Sequence, residues 1–167
     1  MTQKLLYTVG YEGADLGEFI ATLEAYSIQQ IIDVRELPLS RKRGFSKTAL
    51  AAALEKAGIK YLHLKPLGDP KPGREAARSG DIARFRRIYL RHLSTDQAQE
   101  GLGNARAAAK KMTSSLLCYE RNHTDCHRSI IAEKLKVDFK ISHLTIPVLT
   151  SKRRKIAHDV SATFTLG

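Results

Sequence analysis

The chain has 167 residues, of which 43% are hydrophobic and 27% are charged. That is enough apolar material for one folded domain and too little chain for two, and it excludes an intrinsically disordered protein. Lys and Arg total 28 against 17 Asp and Glu, a formal net charge of +11. A surplus of this size attracts polyanions, so we expect nucleic acid or a phosphorylated small molecule as the partner.

Two further absences narrow the class of protein. No apolar run approaches the roughly 20 residues of a membrane span, so the sequence predicts no membrane association. The two cysteines are too few for a disulfide framework, and no signal-peptide pattern opens the chain. We therefore expect a cytoplasmic protein.

Strand-like and helix-like segments alternate along the chain. The expected strands are 5–9, 31–34, 59–64, 116–119 and 141–148. Three helices are expected to begin after Asp15, Ser46 and Asp81, and two more are expected over residues 96–111 and about 125–136. The prolines and glycines of residues 66–73 predict a loop there that is neither helix nor central strand. The alternation predicts a single three-layer α/β domain over residues 1–149, with a mostly parallel central sheet and helices on both faces. Residues 150–167 are expected to form a basic C-terminal tail.

Polar side chains follow several of the expected strands. They are Gly10 and Tyr11 after the first, Asp33 and Arg35 around the end of the second, and Cys118 and Glu120 around the end of the fourth. In an open parallel sheet, ligands bind in the crevice outside the carboxyl ends of the strands. The sequence therefore predicts a pocket that these side chains share.

The densest group of reactive side chains lies in residues 118–129. If Thr124 or Asp125 caps the following helix, Cys126 sits in the first helical turn, where the helix dipole favours an anion. With Arg128 nearby, the pKa of Cys126 should then be lowered, which would make it a nucleophile. Glu120 could transfer the proton or orient His127. The alternative is that Cys126 packs as a small hydrophobic side chain.

Two other interpretations of this segment stay open. Zinc could be held by Cys118, His123, Cys126 and His127, but structural zinc sites usually use a close cysteine pair with a second pair elsewhere. We therefore predict no metal and no cofactor. Cys118 and Cys126 could instead form a redox pair if the strand end and the helix start bring the two sulfurs together.

Several motifs together resemble the domain of unknown function 488 family. They are Tyr7-Thr8-Val9-Gly10, Asp33-Val34-Arg35 with Pro38 and Ser40, Leu67-Gly68, and Cys118-x-Glu120 with Cys126-His127-Arg128-Ser129. The resemblance covers about residues 5–146 and implies a compact cytoplasmic α/β domain whose reaction is not established. It also implies one common pocket for Gly10, Asp33, Arg35, Cys118, Glu120 and Cys126 to Arg128. Many relatives have histidine and serine after the first-strand glycine, where this chain has Tyr11 and Glu12.

These observations favour an enzyme that acts on a nucleotide or a nucleic-acid component. Arg35 and Arg128 would hold its phosphate or another oxyanion, and Asp33 would orient a neighbouring group. A non-catalytic nucleic-acid-binding module is the first alternative, because Arg84, Arg87 and Arg91 recur at helical spacing as a basic stripe. A redox protein using its two cysteines is the second alternative. The sequence predicts neither the substrate nor the oligomeric state.

Overall fold

The computed structural model describes residues 2–148, so the expected basic tail lies outside the described residues. Five strands and six α-helices alternate within them. The strands are β1 (Lys4–Gly10), β2 (Gln30–Asp33), β3 (Lys60–His63), β4 (Ser114–Cys118) and β5 (Phe139–Leu144). The helices are α1 (Leu16–Ala25), α2 (Lys47–Lys56), α3 (Lys71–Arg78), α4 (Ile82–Leu93), α5 (Asp96–Lys111) and α6 (His127–Leu135).

The starts of α1 and α4 follow from side-chain caps that the sequence predicts. The Asp15 carboxylate accepts a hydrogen bond from the Glu18 backbone N–H at 2.8 Å, and Asp81 accepts one from the Arg84 N–H at 3.1 Å. Each cap satisfies a backbone donor that has no partner inside the helix. Both predicted helix starts are confirmed.

The sheet contains five strands in the order β3-β2-β4-β1-β5, and every pair is parallel. The crossover connection from β1 through α1 to β2 skips over β4 in the sheet. The crossover connection from β4 through α6 to β5 skips over β1. The connections from these two adjacent strands therefore run in opposite directions, which opens a crevice at their carboxyl ends. The expected α/β fold is confirmed, with a sheet that is entirely parallel.

Helices cover both faces of this sheet, as expected. On one face Phe19 and Leu23 of α1 join the apolar cluster that contains Val9 of β1. On the other face Tyr89 of α4 and Ile131 of α6 join a second cluster. With both faces covered, the central strands are continuous apolar runs, as is usual for parallel sheets. The polar edge at the strand ends is left as the place for a ligand.

Two element predictions are wrong. Pro72 and Gly73 lie inside α3 rather than in a loop; a proline is tolerated in the first turn, where the backbone N–H groups have no helical partner in any case. The last strand covers Phe139–Leu144, not 141–148. Its pairing with β1 ends at Val9 and Leu144, one residue before β1 ends at Gly10, so β1 is too short to pair with a strand that reaches residue 148.

Candidate functional site

The carboxyl ends of β1, β2 and β4 open into a cavity of about 960 Å³, here called the strand-end cavity. Loops after these strands form one wall, and α3 with the start of α4 forms another. Its polar lining includes Tyr11, Arg35, Asp69, Cys118, Glu120 and His127. The structure thus brings together side chains that lie far apart in the sequence, at the crevice where an open α/β sheet binds its ligand.

Cys126 is the N-cap residue of α6 rather than a residue of its first turn. Its backbone is extended, and its Sγ accepts a hydrogen bond from the Arg128 N–H at 3.5 Å. The prediction that Thr124 or Asp125 caps α6 is wrong, because both belong to a separate 3₁₀ turn capped by Asn122. The Cys126 side chain is buried and does not line the cavity, whereas Cys118 does.

Two sulfurs and one imidazole form a compact group, which we call the sulfur–imidazole cluster (Cys118, Cys126 and His127). Nδ1 of His127 lies 3.6 Å from the Cys118 Sγ and 3.8 Å from the Cys126 Sγ. The other ring nitrogen, Nε2, is 2.7 Å from the Val34 carbonyl oxygen. Since a carbonyl only accepts, Nε2 carries a proton and donates it, and Nδ1 is the atom turned toward the sulfurs.

The electrostatics of the cluster favour one thiolate. Burial alone would raise the pKa of Cys126, but a hydrogen bond from Cys118 and the positive charges of His127 and Arg128 lower it well below its usual value. Burial and the neighbouring Cys126 instead raise the pKa of Cys118 well above its usual value. Burial alone would lower the pKa of His127, but the charge and hydrogen bond of Cys126, the hydrogen bond to the Val34 carbonyl and the charge of Asp69 together raise it to about 9. The directions of these shifts favour the negative charge on Cys126 rather than on Cys118, with His127 as its positively charged neighbour.

Glu120 lies beside the cluster on the cavity wall. The Cys118 Sγ lies 3.2 Å from Oε2 of Glu120, so the single S–H of Cys118 can donate either to this carboxylate or to the Cys126 thiolate. Burial and the charge of Cys126 raise the pKa of Glu120 to about 7. A carboxyl group in this position can take or give a proton near neutral pH.

Asp69 is a site residue that the sequence reasoning missed. Its side chain is buried and lines the cavity, and its Oδ1 has no hydrogen-bond partner among the described residues. Burial raises its pKa to about 6, with the charges of His127 and Cys126 opposing each other. Gly73 makes room for it, since a Cβ there would lie 2.1 Å from that oxygen. The sequence signal was its place directly after the Leu67-Gly68 motif.

Arg35 lines the cavity with its donors already engaged. It forms a two-point bond to the buried Asp33 carboxylate, at 2.9 Å from Nε and 2.7 Å from Nη2. Its Nη1 donates to the Phe45 carbonyl oxygen at 2.7 Å and lies 3.2 Å from the Tyr11 hydroxyl. Asp33 therefore fixes the orientation of the Arg35 side chain, and Arg35 in turn bonds to Phe45 and Tyr11 in the segments that follow β2 and β1.

Arg128 and Gly10 shape the loop that carries Glu120. The Arg128 side chain is fully buried and donates to the carbonyl oxygens of Glu120 at 2.5 Å and Arg121 at 3.3 Å. Arg128 does not line the cavity. A Cβ on Gly10 would lie 1.7 Å from the Glu120 carbonyl oxygen, so only glycine permits this close approach. Both residues fix the position of the Glu120 loop through its backbone carbonyl groups, on the side away from the cavity.

Three of the four candidate zinc ligands come together, and His123 does not. Its ring stacks on that of His143, with centroids 3.6 Å apart. Cys118, Cys126 and His127 instead have ligand atoms that all lie within 4.8 Å of one another, and all three residues are buried.

Free positive charge surrounds the cavity mouth. Arg41, Lys42 and Arg78, which we call the basic rim, line the cavity. None of the three has a carboxylate partner among residues 2–148. The basic stripe of Arg84, Arg87 and Arg91 is also exposed, on α4, but it does not line the cavity.

Comparison with known proteins identifies a family but no characterised relative. Within residues 2–148, no helix has both the length and the apolar character needed to cross a membrane. No curated protein and no solved structure matches the chain. The family model described as "Domain of unknown function DUF488" matches residues 15–135, which is more than half of the chain and includes every cavity residue discussed above except Tyr11. The chain therefore belongs to this family of unknown function.

Proposed function

We propose that the protein is an enzyme that acts on a phosphorylated nucleotide or nucleic-acid component bound in the strand-end cavity. One observation carries the proposal: a single cavity is lined by Glu120, Asp69, Cys118 and His127 and by a basic rim that has no carboxylate partner among residues 2–148. The cavity volume of about 960 Å³ is in the range of small-molecule sites.

The basic rim is the proposed phosphate-binding group. The sequence assigned this role to Arg35 and Arg128, but the guanidinium groups of both are bonded to protein oxygens. Among residues 2–148, Arg41, Lys42 and Arg78 form no ion pair with a carboxylate. Cationic side chains free to pair with phosphate oxygens form the short, charge-assisted hydrogen bonds that phosphate sites use.

Apolar side chains at the same mouth suit a nucleobase. Leu37, Leu39, Ile82 and Tyr119 line the cavity and are exposed, Leu39 by 75%. Exposed apolar side chains grouped at a cavity commonly mark a binding surface. A flat base packed between them would leave its phosphate at the basic rim, and base stacking on an aromatic ring such as Tyr119 is worth about 1–3 kcal/mol.

Glu120 and the sulfur–imidazole cluster supply the proposed chemistry. Glu120 borders the cavity within hydrogen-bond distance of Cys118, which fits the proton-transfer role that the sequence suggested. Cys126 was the expected nucleophile, but only 2% of its side chain is exposed. Cys118 and His127 are the cluster members that line the cavity, so substrate would meet the cluster through them.

Matched charge deletions test the proposal. The triple variant Arg41→Ala/Lys42→Ala/Arg78→Ala removes the basic rim, and Arg84→Ala/Arg87→Ala/Arg91→Ala removes the same charge from the basic stripe. Calorimetric titration with a panel of nucleoside phosphates and the parent nucleosides should show phosphate-dependent binding, weakened at least about tenfold by the rim variant only. Glu120→Gln should keep this binding and lose turnover followed by mass spectrometry. Equal binding of phosphates by the rim variant and wild type would refute the proposal.

The non-catalytic binding module predicts the reverse pattern. The exposure of Arg84, Arg87 and Arg91 along α4 favours it. In that case the stripe variant would lose affinity for duplex DNA or single-stranded RNA, while the rim variant would bind normally. The dependence of log affinity on log salt concentration should become shallower for the stripe variant, by the amount expected for the loss of about three phosphate contacts.

A further inference from the structure

We propose that Cys118, Cys126 and His127 bind a zinc-type divalent transition-metal ion at the floor of the strand-end cavity. Two thiolates and one imidazole are a donor set that zinc favours, and a Cys₂His set with an open fourth position is known for catalytic zinc. Binding would displace the Cys118 thiol proton and the Nδ1 proton of His127 into solvent, as metal binding to such ligands does. The inference corrects the sequence prediction that the chain has no metal site.

The spacing of the three donor atoms fits a tetrahedral ion. Zn–S distances of about 2.3 Å and Zn–N distances of about 2.0–2.1 Å, at the tetrahedral angle, put each sulfur roughly 3.6 Å from the nitrogen. The distances from the His127 Nδ1 to the two sulfurs are 3.6 and 3.8 Å. An ion could therefore enter between them with little movement of the side chains.

Groups around the cluster already hold the donors in the orientation that a metal requires. The His127 Nε2–H donates to the Val34 carbonyl oxygen, which leaves Nδ1 to point at the ion, as in most metal-binding histidines. The Arg128 N–H donates to the Cys126 Sγ, a hydrogen bond that stabilises a coordinated thiolate. All three donor residues are buried, so water competes little for the ion.

An independent observation places the open coordination position toward the cavity. Cys118 and His127 line the cavity, as does the buried Asp69, whose Oδ1 lacks a partner among the described residues. An unpaired buried carboxylate oxygen costs free energy, so Asp69 is a further polar group of the same cavity that a bound water or ligand could satisfy. The proposed metal site does not depend on the proposed function. Only the further step, in which the ion rather than Cys126 is the reacting centre, rests on the proposed function.

Cobalt provides a spectroscopic test in the full-length protein. Reduced protein is stripped of metal with a chelator and titrated with Co²⁺, and then the bound Co²⁺ is displaced with Zn²⁺. We expect one equivalent of Co²⁺ to give strong visible absorption typical of tetrahedral coordination, and a thiolate charge-transfer band in the near ultraviolet. Cys118→Ser and Cys126→Ser should weaken binding by more than the roughly 10–100-fold produced by altering an outer-shell partner.

His123→Asn is the matched control, because it removes a histidine of the same segment that lies outside the cluster. It should keep the cobalt spectrum and the affinity of the wild type. Folding of each variant is checked by circular dichroism. The absence of a thiolate charge-transfer band from fully reduced, cobalt-loaded wild type would overturn the inference. An unchanged affinity for Co²⁺ in both serine variants would overturn it as well. Metal binding without nucleotide binding would refute the proposed function only, and nucleotide binding without a metal would refute this inference only.

Discussion

Replacing Asp69 by asparagine should stabilise the metal-free protein, and should do so more strongly at alkaline pH. The Asp69 side chain is 6% exposed, and its Oδ1 has no partner among the described residues. Burial raises its pKa from 3.8 to about 6. The folded state therefore binds this proton more tightly than the unfolded state, and the ionised carboxylate destabilises the fold once the pH exceeds both values.

The size of the effect follows from the shift. A difference of roughly two pH units, at about 1.4 kcal/mol per unit, gives a cost of about 3 kcal/mol near pH 8. The cost falls as the pH drops through about 6, and is about 1 kcal/mol near pH 4.5. Asp69→Asn cannot ionise, so its stability advantage over the wild type should shrink by about 2 kcal/mol between these two conditions.

Urea unfolding of both proteins across this pH range, with a chelator present, measures the advantage directly. The difference between two pH values is the quantity to compare, because it cancels any pH-independent effect of the new amide. Glu24→Gln, which removes an exposed carboxylate on α1, controls for the loss of one negative charge. If the stability advantage of Asp69→Asn is the same near pH 8 and near pH 4.5, the claim that burial raises the pKa of Asp69 to about 6 is refuted.

Three further predictions concern the loop after β4 and the cluster. Gly10→Ala should destabilise the protein by about 1–3 kcal/mol in thermal unfolding, since the new Cβ would meet the Glu120 carbonyl oxygen. Gly103→Ala is the control and should not destabilise the protein, because a Cβ at this position on α5 meets open space. Arg128→Met should cost about 1–3 kcal/mol for each buried carbonyl left unpaired, measured by urea unfolding. Mild oxidation of the metal-free protein with diamide should join Cys118 and Cys126 in a disulfide, which mass spectrometry detects as a loss of two hydrogens. The Cys118→Ser variant should not show this loss.

The fold was accessible from the sequence because its signals are local. Aspartate caps at residues 15 and 81, and short apolar strands between helical segments, define most of the elements. The errors arose where local signals conflict with context. Pro72 was interpreted as a helix breaker although the first helical turn tolerates it, and the end of β5 depends on where its partner β1 ends, which no local pattern records.

The site was only partly accessible for a similar reason. The strand-end rule places Arg35, Glu120 and His127 near one another, and in the structure all three line one cavity. It does not tell which arginine faces the ligand: Arg35 and Arg128 have their donors bonded within the protein. Asp69 escaped notice because its importance lies in burial and a missing partner, and both are properties of the folded chain alone.

The distribution of charge in the cavity connects the two proposals. Its mouth carries the basic rim, while Asp69 and Glu120 line it further in and the Cys126 sulfur lies buried next to the cavity-lining His127, with His127 and Arg128 as the positive charges that act on that sulfur. A phosphorylated substrate attracted by the rim would be repelled by these negative groups, and in a low-dielectric cavity such repulsion is strong. A divalent cation bound between the two sulfurs would offset the negative charge and complete the site. Loading the protein with Zn²⁺ should therefore tighten nucleoside phosphate binding in wild type and leave Cys118→Ser unaffected, and equal affinities of the metal-free and zinc-loaded wild type would refute this coupling.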